Sequence, residues 1–117
     1  MIIALVSDLI FASRISATAA HVGAEVDARQ SSQLPDSDAP PAAVIVDLTI
    51  TNGDPFEAIR DAKGRWPEVV VIGFFPHVQT DLKRQAQAAG ADQILPRSVF
   101  TEQLPDILRR FAGQTGN

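Results

Sequence analysis

The most regular feature of the sequence is a set of four short apolar runs, at residues 2–6, 43–46, 69–75 and 94–95. Each run is followed by polar residues or by proline. Apolar runs of this length that do not alternate with polar residues are typical of strands covered on both faces, and such strands are usually parallel. A more polar run at residues 24–28 predicts a further strand at the edge of the same sheet.

Helical spacing of apolar residues separates most of these runs. Residues 10–22 repeat apolar side chains, beginning with Ile10, along one predicted stripe, and Gly23 follows as a stop signal. Residues 54–65 show the same spacing, with Asp54 as N-cap and a proline at the first helical position. Two helices are therefore predicted on the first half of the chain.

Two more helices are predicted in the second half. Residues 80–89 end at Gly90, which is a common residue after a helix C-terminus. The last helix is predicted over residues 101–112, opening at Thr101. Pro105 limits how early that helix can begin, because an interior proline removes a backbone hydrogen bond.

Residues 30–42 interrupt the alternation of strands and helices. They contain Ser, Asp and three prolines and keep no helical period, so the helix between the second and third strands is predicted to be short or missing. The remaining alternation predicts a doubly wound, flavodoxin-like α/β fold with right-handed crossovers. The expected strand order, numbered along the chain, is 2-1-3-4-5. One domain over residues 1–113 and a polar tail at 114–117 are predicted.

Composition and charge narrow the classes of function. The chain has no cysteine, which excludes disulfides, thiolate metal sites and a cysteine nucleophile. Its net charge of −4 disfavours binding of nucleic acid through a broad basic face. No apolar segment is long enough for a membrane span, and the first residues lack the features of a signal peptide. We expect a soluble, cytoplasmic protein that binds neither nucleic acid nor membranes.

Candidate chemistry lies where the strands end. In the predicted fold the functional crevice lies outside the carboxyl ends of the first and third strands, which here carry Ser7, Asp8 and Asp47. Two carboxylates that converge there could bind Mg²⁺, and a carboxylate beside that ion could accept a phosphoryl group. The alternative is structural, because short acidic residues at strand ends also cap the helices that follow.

Several segments resemble the receiver domains of response regulators, of the CheY-like type. AVIVDLTIT at residues 43–51 is similar to their third strand and phospho-acceptor turn, with Asp47 on the acceptor. Residues 66–68, followed by VVVIG, resemble the entry to the fourth strand. AAGADQIL at 88–95 and HVGAEV at 21–26 resemble the segments around the fifth and second strands. The resemblance covers essentially the whole chain and implies the same fold.

The sequence departs from the receiver pattern at the phosphorylation site. Receivers carry two acids after the first strand, and this chain has Ser7 and Asp8. They carry Thr or Ser at the end of the fourth strand, where Phe75 stands here. They carry Lys followed by a cis proline after the fifth strand, where this chain has Arg97 and no proline after it. Ile94 replaces the aromatic switch residue.

These departures predict a weakened site. One acid fewer lowers the affinity for Mg²⁺, and Phe75 offers no hydroxyl and is expected to crowd an incoming phosphoryl group. Arg97 keeps a positive charge and has the alternative of pairing with Asp47 or Asp8, which would hold the crevice in one state. The resemblance is therefore to atypical receivers, or pseudo-receivers, in which the switching residues are depleted.

The function predicted from this resemblance is a signal-transduction module that binds proteins independently of phosphorylation, without enzymatic activity and without a cofactor. The alternative is a phospho-accepting receiver in two-component phosphorelay signalling. Asp47 would then take phosphate from a histidine kinase, Asp8 and Asp47 would hold Mg²⁺, and Arg97 would contact the phosphate. A small α/β enzyme is a weaker alternative, because the sequence presents no catalytic set.

The expected partner is another signalling protein or domain, or a second copy in a homodimer. Receivers commonly bind through their fourth helix, fifth strand and fifth helix, here residues 80–89, 94–95 and 101–112. An exposed Phe100 would supply an aromatic anchor on that surface. The predicted partner surface comprises Lys83, Gln87, Arg97, Phe100, Gln103 and Arg110.

Overall fold

The computed structural model describes residues 1–36, 39–76 and 80–112, so the predicted polar tail lies outside the described residues. Five strands form one sheet in the order β2-β1-β3-β4-β5, and each pairs in parallel with its neighbours. This confirms the predicted topology. The strands are β1 (Ile2–Leu5), β2 (Val26–Arg29), β3 (Ala43–Asp47), β4 (Val70–Phe75) and β5 (Gln93–Pro96).

Four helices lie against this sheet in the described part of the chain, α1 and α4 on one face and α2 and α3 on the other. None of the described helices is long and apolar enough to cross a membrane. The helices are α1 (Leu9–Val22), α2 (Pro55–Arg65), α3 (Thr80–Ala89) and α4 (Arg97–Phe111).

The predicted ends of α1 and α2 are confirmed. Gly23 has φ 77°, a left-handed conformation that glycine adopts without a steric penalty. The Asp54 side chain accepts hydrogen bonds from the first backbone N–H groups of α2. Ile10, however, was wrongly placed in the buried stripe, since it is 83% exposed. Phe11 and Ile15 define the buried stripe, and Ile10 lies about 140° around the helix from Ile15.

The predicted start of the last helix was also wrong, because α4 begins at Arg97 and not at Thr101. Pro105 therefore lies inside the helix, at a cost of about 3 kcal/mol in an ordinary helix interior. The earlier start places Phe100 and Leu104, which are 0% and 1% exposed, against the sheet. Burying each of these side chains contributes about 1.5–3 kcal/mol, which offsets the proline.

The connection from β2 to β3 contains no helix in its described residues, 30–36 and 39–42, as predicted. Leu34 packs against the core on the α2 and α3 face. Two long-range hydrogen bonds hold this loop: the Asn52 side chain donates to the Gln30 carbonyl at 2.6 Å, and Arg65 donates to the Pro35 carbonyl at 3.2 Å.

An aromatic cluster fills the core between the sheet and helices α1 and α4. Phe74 and Phe100 stack almost parallel, with ring centroids 4.7 Å apart. Phe11 of α1 contacts both rings in tilted geometry, at 5.2 and 6.0 Å. Offset aromatic pairs of this kind stabilise a core beyond the area they bury. The cluster lies beneath the edge of the sheet at which the candidate site residues are found.

Candidate functional site

Four predicted site residues lie at one edge of the sheet, where the carboxyl ends of the parallel strands meet. Asp47 and Phe75 are the last residues of β3 and β4. Asp8 follows β1 by way of Ser7, and Arg97 follows β5 directly. Their common edge is the crevice that a doubly wound sheet offers to ligands.

Asp8 caps α1 and pairs with Arg97 at the same time. Its Oδ1 accepts hydrogen bonds from the backbone N–H groups of Ile10 at 2.9 Å and Phe11 at 3.2 Å. Its Oδ2 accepts a hydrogen bond from Arg97 Nη2 at 3.1 Å. The Phe11 backbone N–H, followed by Arg97, lowers the pKa of the Asp8 carboxyl below its ordinary value. Both carboxylate oxygens are therefore engaged by the protein itself.

Arg97 follows β5, an outer strand of the sheet, and reaches back to Asp8 after β1. As the first residue of α4 it extends over the ring of Phe11, with the guanidinium carbon 4.2 Å from the ring centroid, and reaches Asp8. A planar guanidinium suits this combined stacking and ion pairing better than an ammonium group. We call the group formed by Asp8, Phe11 and Arg97 the clasp. Of the two predicted pairings of Arg97, the one with Asp8 is confirmed.

Asp47 is buried, at 6% exposure, and its hydrogen bonds are local. Its Oδ1 accepts from the Thr49 backbone N–H at 2.9 Å and from the Thr49 hydroxyl at 2.7 Å. Sequence reasoning missed Thr49, although an aspartate that accepts bonds from the residue two positions ahead is a common turn arrangement. The Oδ2 atom accepts no hydrogen bond from the described residues.

The described residues form no cluster of acidic or histidine side chains that is typical of a metal centre. They contain no group of three or more His, Asp and Glu side chains with a suitable arrangement. Asp8, one of the two predicted ligands, uses one oxygen as a helix cap and the other in an ion pair. Binding of Mg²⁺ by Asp8 and Asp47 stays a prediction.

Phe75 and Ile94 both pack on the side of the sheet that α2 and α3 cover. Phe75 is 2% exposed, and its ring is part of the core with Leu48 and Ala86. Ile94 is half-buried beside that core. Phe75 is thus a core side chain. Its correspondence to the receiver hydroxyl and the crowding of an incoming phosphoryl group stay predictions.

Most polar residues of the predicted partner surface are exposed, but its predicted aromatic anchor is not. Phe100 is fully buried and stacks on Phe74, so the expectation that it is exposed was wrong. The physical reason is the earlier start of α4, which turns Phe100 towards the sheet. Binding at this surface stays a prediction. Its exposed members are Lys83, Gln87, Gln103 and Arg110.

No family model matches the sequence, and no curated protein matches it either. Solved structures do match. A CheY-like response regulator receiver domain from Methanospirillum hungatei JF-1 superposes with a TM-score of 0.78 at 14% identity, over 93% of this chain and 90% of that one. The chain has the CheY-like receiver fold. Vibrio cholerae CheY4 gives a TM-score of 0.75 at 18% identity, over 94% and 96% of the two chains.

A third structure with the receiver fold is a response regulator protein from Burkholderia pseudomallei, solved with a phosphorylated aspartic acid, a calcium ion and citrate. It superposes with a TM-score of 0.74 at 16% identity, over 97% of this chain and 68% of that one. At such identities the likeness concerns the fold, and the chemistry of this chain has to be argued from its own residues.

Proposed function

We propose that this chain is a signalling protein-interaction module built on the receiver fold, and that it works without phosphorylation. The observation that carries the proposal is the state of Asp8, whose two oxygens are taken by the N-terminus of α1 and by Arg97. In a phospho-accepting receiver the corresponding acid would help to hold Mg²⁺. Here the same carboxylate is part of the clasp.

Electrostatics supports the same proposal. A divalent cation at Asp8 would have to compete with the Arg97 guanidinium, which is itself held over the Phe11 ring. It would gain only one further predicted carboxylate, Asp47, whose Oδ1 already accepts two hydrogen bonds from Thr49. Affinity for hard cations falls as the number and charge of their oxygen ligands fall.

The residues that would transmit phosphorylation are also replaced. Phe75 has no hydroxyl with which to bind a phosphoryl oxygen, and Ile94 has no aromatic ring to move inward. The aromatic side chains Phe74 and Phe100 are stacked in the core, with ring centroids 4.7 Å apart. Because close-packed aromatic side chains do not rearrange without cost, this core favours a single conformation of the edge.

The alternative function is a phospho-accepting receiver, and one observation favours it. Asp47 stands at the carboxyl end of β3, and its Oδ2 accepts no hydrogen bond from the described residues. That oxygen could attack the phosphorus of a phosphohistidine whose other ring nitrogen carries a proton. The O–P bond forms as the N–P bond breaks, which gives an aspartyl phosphate and a neutral histidine as leaving group. The Burkholderia pseudomallei protein with the same fold carries a phosphorylated aspartic acid.

Treatment with beryllofluoride or acetyl phosphate, with and without Mg²⁺, separates the two functions. We expect the amide NMR spectrum of the full chain to stay unchanged around Asp47 and its mass to stay unmodified. Asp47→Asn is the matched control, since it keeps the side-chain shape and cannot be phosphorylated. A stoichiometric, Mg²⁺-dependent change that Asp47→Asn abolishes would overturn the proposal and establish the alternative.

We further propose that the module acts in the cytoplasm and that its partner is another signalling protein. The net charge of −4 supports a protein partner over nucleic acid. Of the predicted partner surface only the polar residues remain exposed, and they form no apolar centre of the kind on which most stable interfaces depend.

A further inference from the structure

An asparagine followed by glycine lies in the connection between β3 and α2. Asn52 and Gly53 are both exposed and belong to neither a strand nor a helix. The Gly53 backbone N–H donates no hydrogen bond to the described residues. The Asn52 side chain is held in one place, since its amide group donates to the Gln30 carbonyl at 2.6 Å. A reactive side-chain amide therefore stands next to a backbone nitrogen that the described part of the protein does not engage.

The fold requires glycine at position 53. Gly53 has φ 152°, a conformation that residues with a side chain rarely adopt. A Cβ added there would collide with the Ser32 hydroxyl oxygen, because the loop after β2 packs directly on the glycine. The absence of a side chain also leaves the Gly53 nitrogen unhindered. The packing of the loop thus keeps the reactive pair in the sequence.

We infer that Asn52 is a site of spontaneous deamidation, and that residues 30–36 of the loop after β2 control its rate. The reaction needs only water and hydroxide. Hydroxide removes the amide proton of Gly53, and the nitrogen attacks the side-chain carbonyl carbon of Asn52. A succinimide ring closes as the bond to the side-chain nitrogen breaks, and that nitrogen takes a proton from water and leaves as ammonia. A further water molecule opens the ring at either carbonyl, which leaves aspartate or isoaspartate in place of the asparagine.

Deamidation removes one of the two long-range hydrogen bonds that hold the loop. A carboxylate has no N–H to donate, so it cannot bind the Gln30 carbonyl, and its oxygens repel the carbonyl oxygen. The bond that remains is the one from Arg65 to the Pro35 carbonyl at 3.2 Å. The new negative charge stands near Asp54 at the N-terminus of α2, an end of a helix that favours negative charge. We therefore expect a folded product with a looser loop. This goes beyond the proposed function and does not depend on it.

The loop controls the rate through the Asn52 side chain. Ring closure carries the side-chain carbon onto the Gly53 nitrogen, and the hydrogen bond to Gln30 has to break for this movement. The loop is held a second time by Arg65, which donates to the Pro35 carbonyl and pairs with Asp61. Local opening of the loop and reaction of Asn52 are therefore coupled.

The test follows the full chain at neutral and mildly alkaline pH by mass spectrometry of its peptides, with methyltransferase labelling to detect isoaspartate. We expect the product at Asn52 to accumulate faster at the higher pH, in proportion to hydroxide. Arg65→Ala should speed its formation severalfold by loosening the loop, and the chain unfolded in guanidinium chloride should react faster still. Asn52→Asp carries one of the two products and should quicken hydrogen exchange of residues 30–36 severalfold.

Three variants serve as controls. Asn52→Gln keeps an amide and should give no product, because ring closure through the longer side chain is much slower. Arg109→Ala removes an exposed arginine of α4 and should react as the original chain does. Gln33→Glu, on the same loop, makes the same change of charge as Asn52→Asp without removing the bond to Gln30, and should leave hydrogen exchange unchanged. The substituted side chains are all exposed, so the variants are expected to fold, and circular dichroism checks this.

The inference fails if the folded chain gives no product at Asn52 under conditions in which the unfolded chain reacts. It also fails if Arg65→Ala reacts at the rate of the original chain, or if Asn52→Asp leaves hydrogen exchange of the loop unchanged. A beryllofluoride response at Asp47 would overturn the proposed function and leave this result untouched.

Discussion

Asp8 shows how one side chain can serve several structural functions at a strand end. Its carboxylate satisfies two backbone N–H groups that would otherwise be unpaired at the start of α1, and its second oxygen binds Arg97 across the sheet. Each of these contacts favours the ionised form of the carboxyl. The clasp therefore depends on the charge of Asp8, and this dependence can be measured.

The first prediction concerns pH. Hydrogen bonds from Phe11 and Arg97 lower the pKa of Asp8 in the folded protein, so the unfolded chain binds the proton more tightly. The stabilising contribution of Asp8 is then complete above the pKa of the unfolded chain and is lost as the pH falls through the lower folded value. Asp8→Asn keeps the helix cap but not the charge. Urea unfolding should show that the chain has a higher free energy of unfolding than this variant at neutral pH, and that the difference shrinks as the pH falls.

Asp106→Asn serves as control for this prediction. Among the described residues Asp106 pairs with Arg109 alone, three residues away on the exposed surface of α4. An exposed ion pair of this kind contributes little to stability, so the difference in the free energy of unfolding between the chain and Asp106→Asn should be small. An Asp8→Asn variant whose difference from the original chain stayed constant across the same range would show that the charge of Asp8 does not stabilise the fold.

The second prediction concerns Thr49, whose hydroxyl donates to the buried carboxylate of Asp47 at 2.7 Å. Thr49→Ala removes this hydrogen bond to a charged acceptor and should lower the free energy of unfolding by about 1.5–3 kcal/mol. Thr49→Ser keeps the hydroxyl and should lose much less. Denaturant unfolding of the three proteins measures both differences. Equal stability of the Ala and Ser variants would mean that the hydroxyl contributes nothing.

At the level of residues, the sequence could place Asp8, Asp47, Phe75 and Arg97 at one edge, because each ends or follows an apolar run that is typical of a strand. It predicted two alternative partners for Arg97, Asp8 and Asp47, without deciding between them. The choice depends on the Phe11 ring, which supports the guanidinium at 4.2 Å and directs it to Asp8. Such a contact between α1 and α4 has no signature in the local sequence.

At the level of elements, α4 shows tertiary packing overriding a local rule. Pro105 argues for a helix that begins late, and the structure accepts this proline inside the helix to bring Phe100 and Leu104 onto the sheet. The prediction failed because it weighed the proline without the burial. A related error concerned Ile10, whose apolar character suggested a buried position, although the spacing of Phe11 and Ile15 excludes it from the stripe.

The third prediction tests this view of α4. If Phe100 is a core residue, Phe100→Ala should lower the free energy of unfolding by about 3–5 kcal/mol. Phe100→Leu should cost less and keep the chain folded if the Ala variant does not fold. Gln103→Ala, on the exposed face of the same helix, should change stability by no more than about 0.5 kcal/mol. If Phe100→Ala is as stable as Gln103→Ala, Phe100 is not a core residue.

At the level of the whole molecule, topology was the most predictable property. Continuous apolar runs indicate buried parallel strands, and their alternation with helices leaves few arrangements that obey right-handed crossover. The proline-rich segment at 30–42 also predicted a connection without an ordinary helix, and Leu34 of this segment packs against the core. The pairing of side chains in the crevice was less predictable, since it depends on the directions of side chains at α1, β3 and α4 together.

That state gives the last prediction, which concerns the response of the folded protein to Mg²⁺. A site with a Kd of about 1 mM would add about 1.4 kcal/mol at about 10 mM Mg²⁺, enough to raise the melting temperature by several degrees. Because the clasp occupies Asp8 and leaves no cluster of three acidic ligands among the described residues, we expect no such rise over NaCl of equal ionic strength. A rise that Asp47→Asn abolishes would instead show that Mg²⁺ binds at Asp47, and it would favour the alternative function, a phospho-accepting receiver.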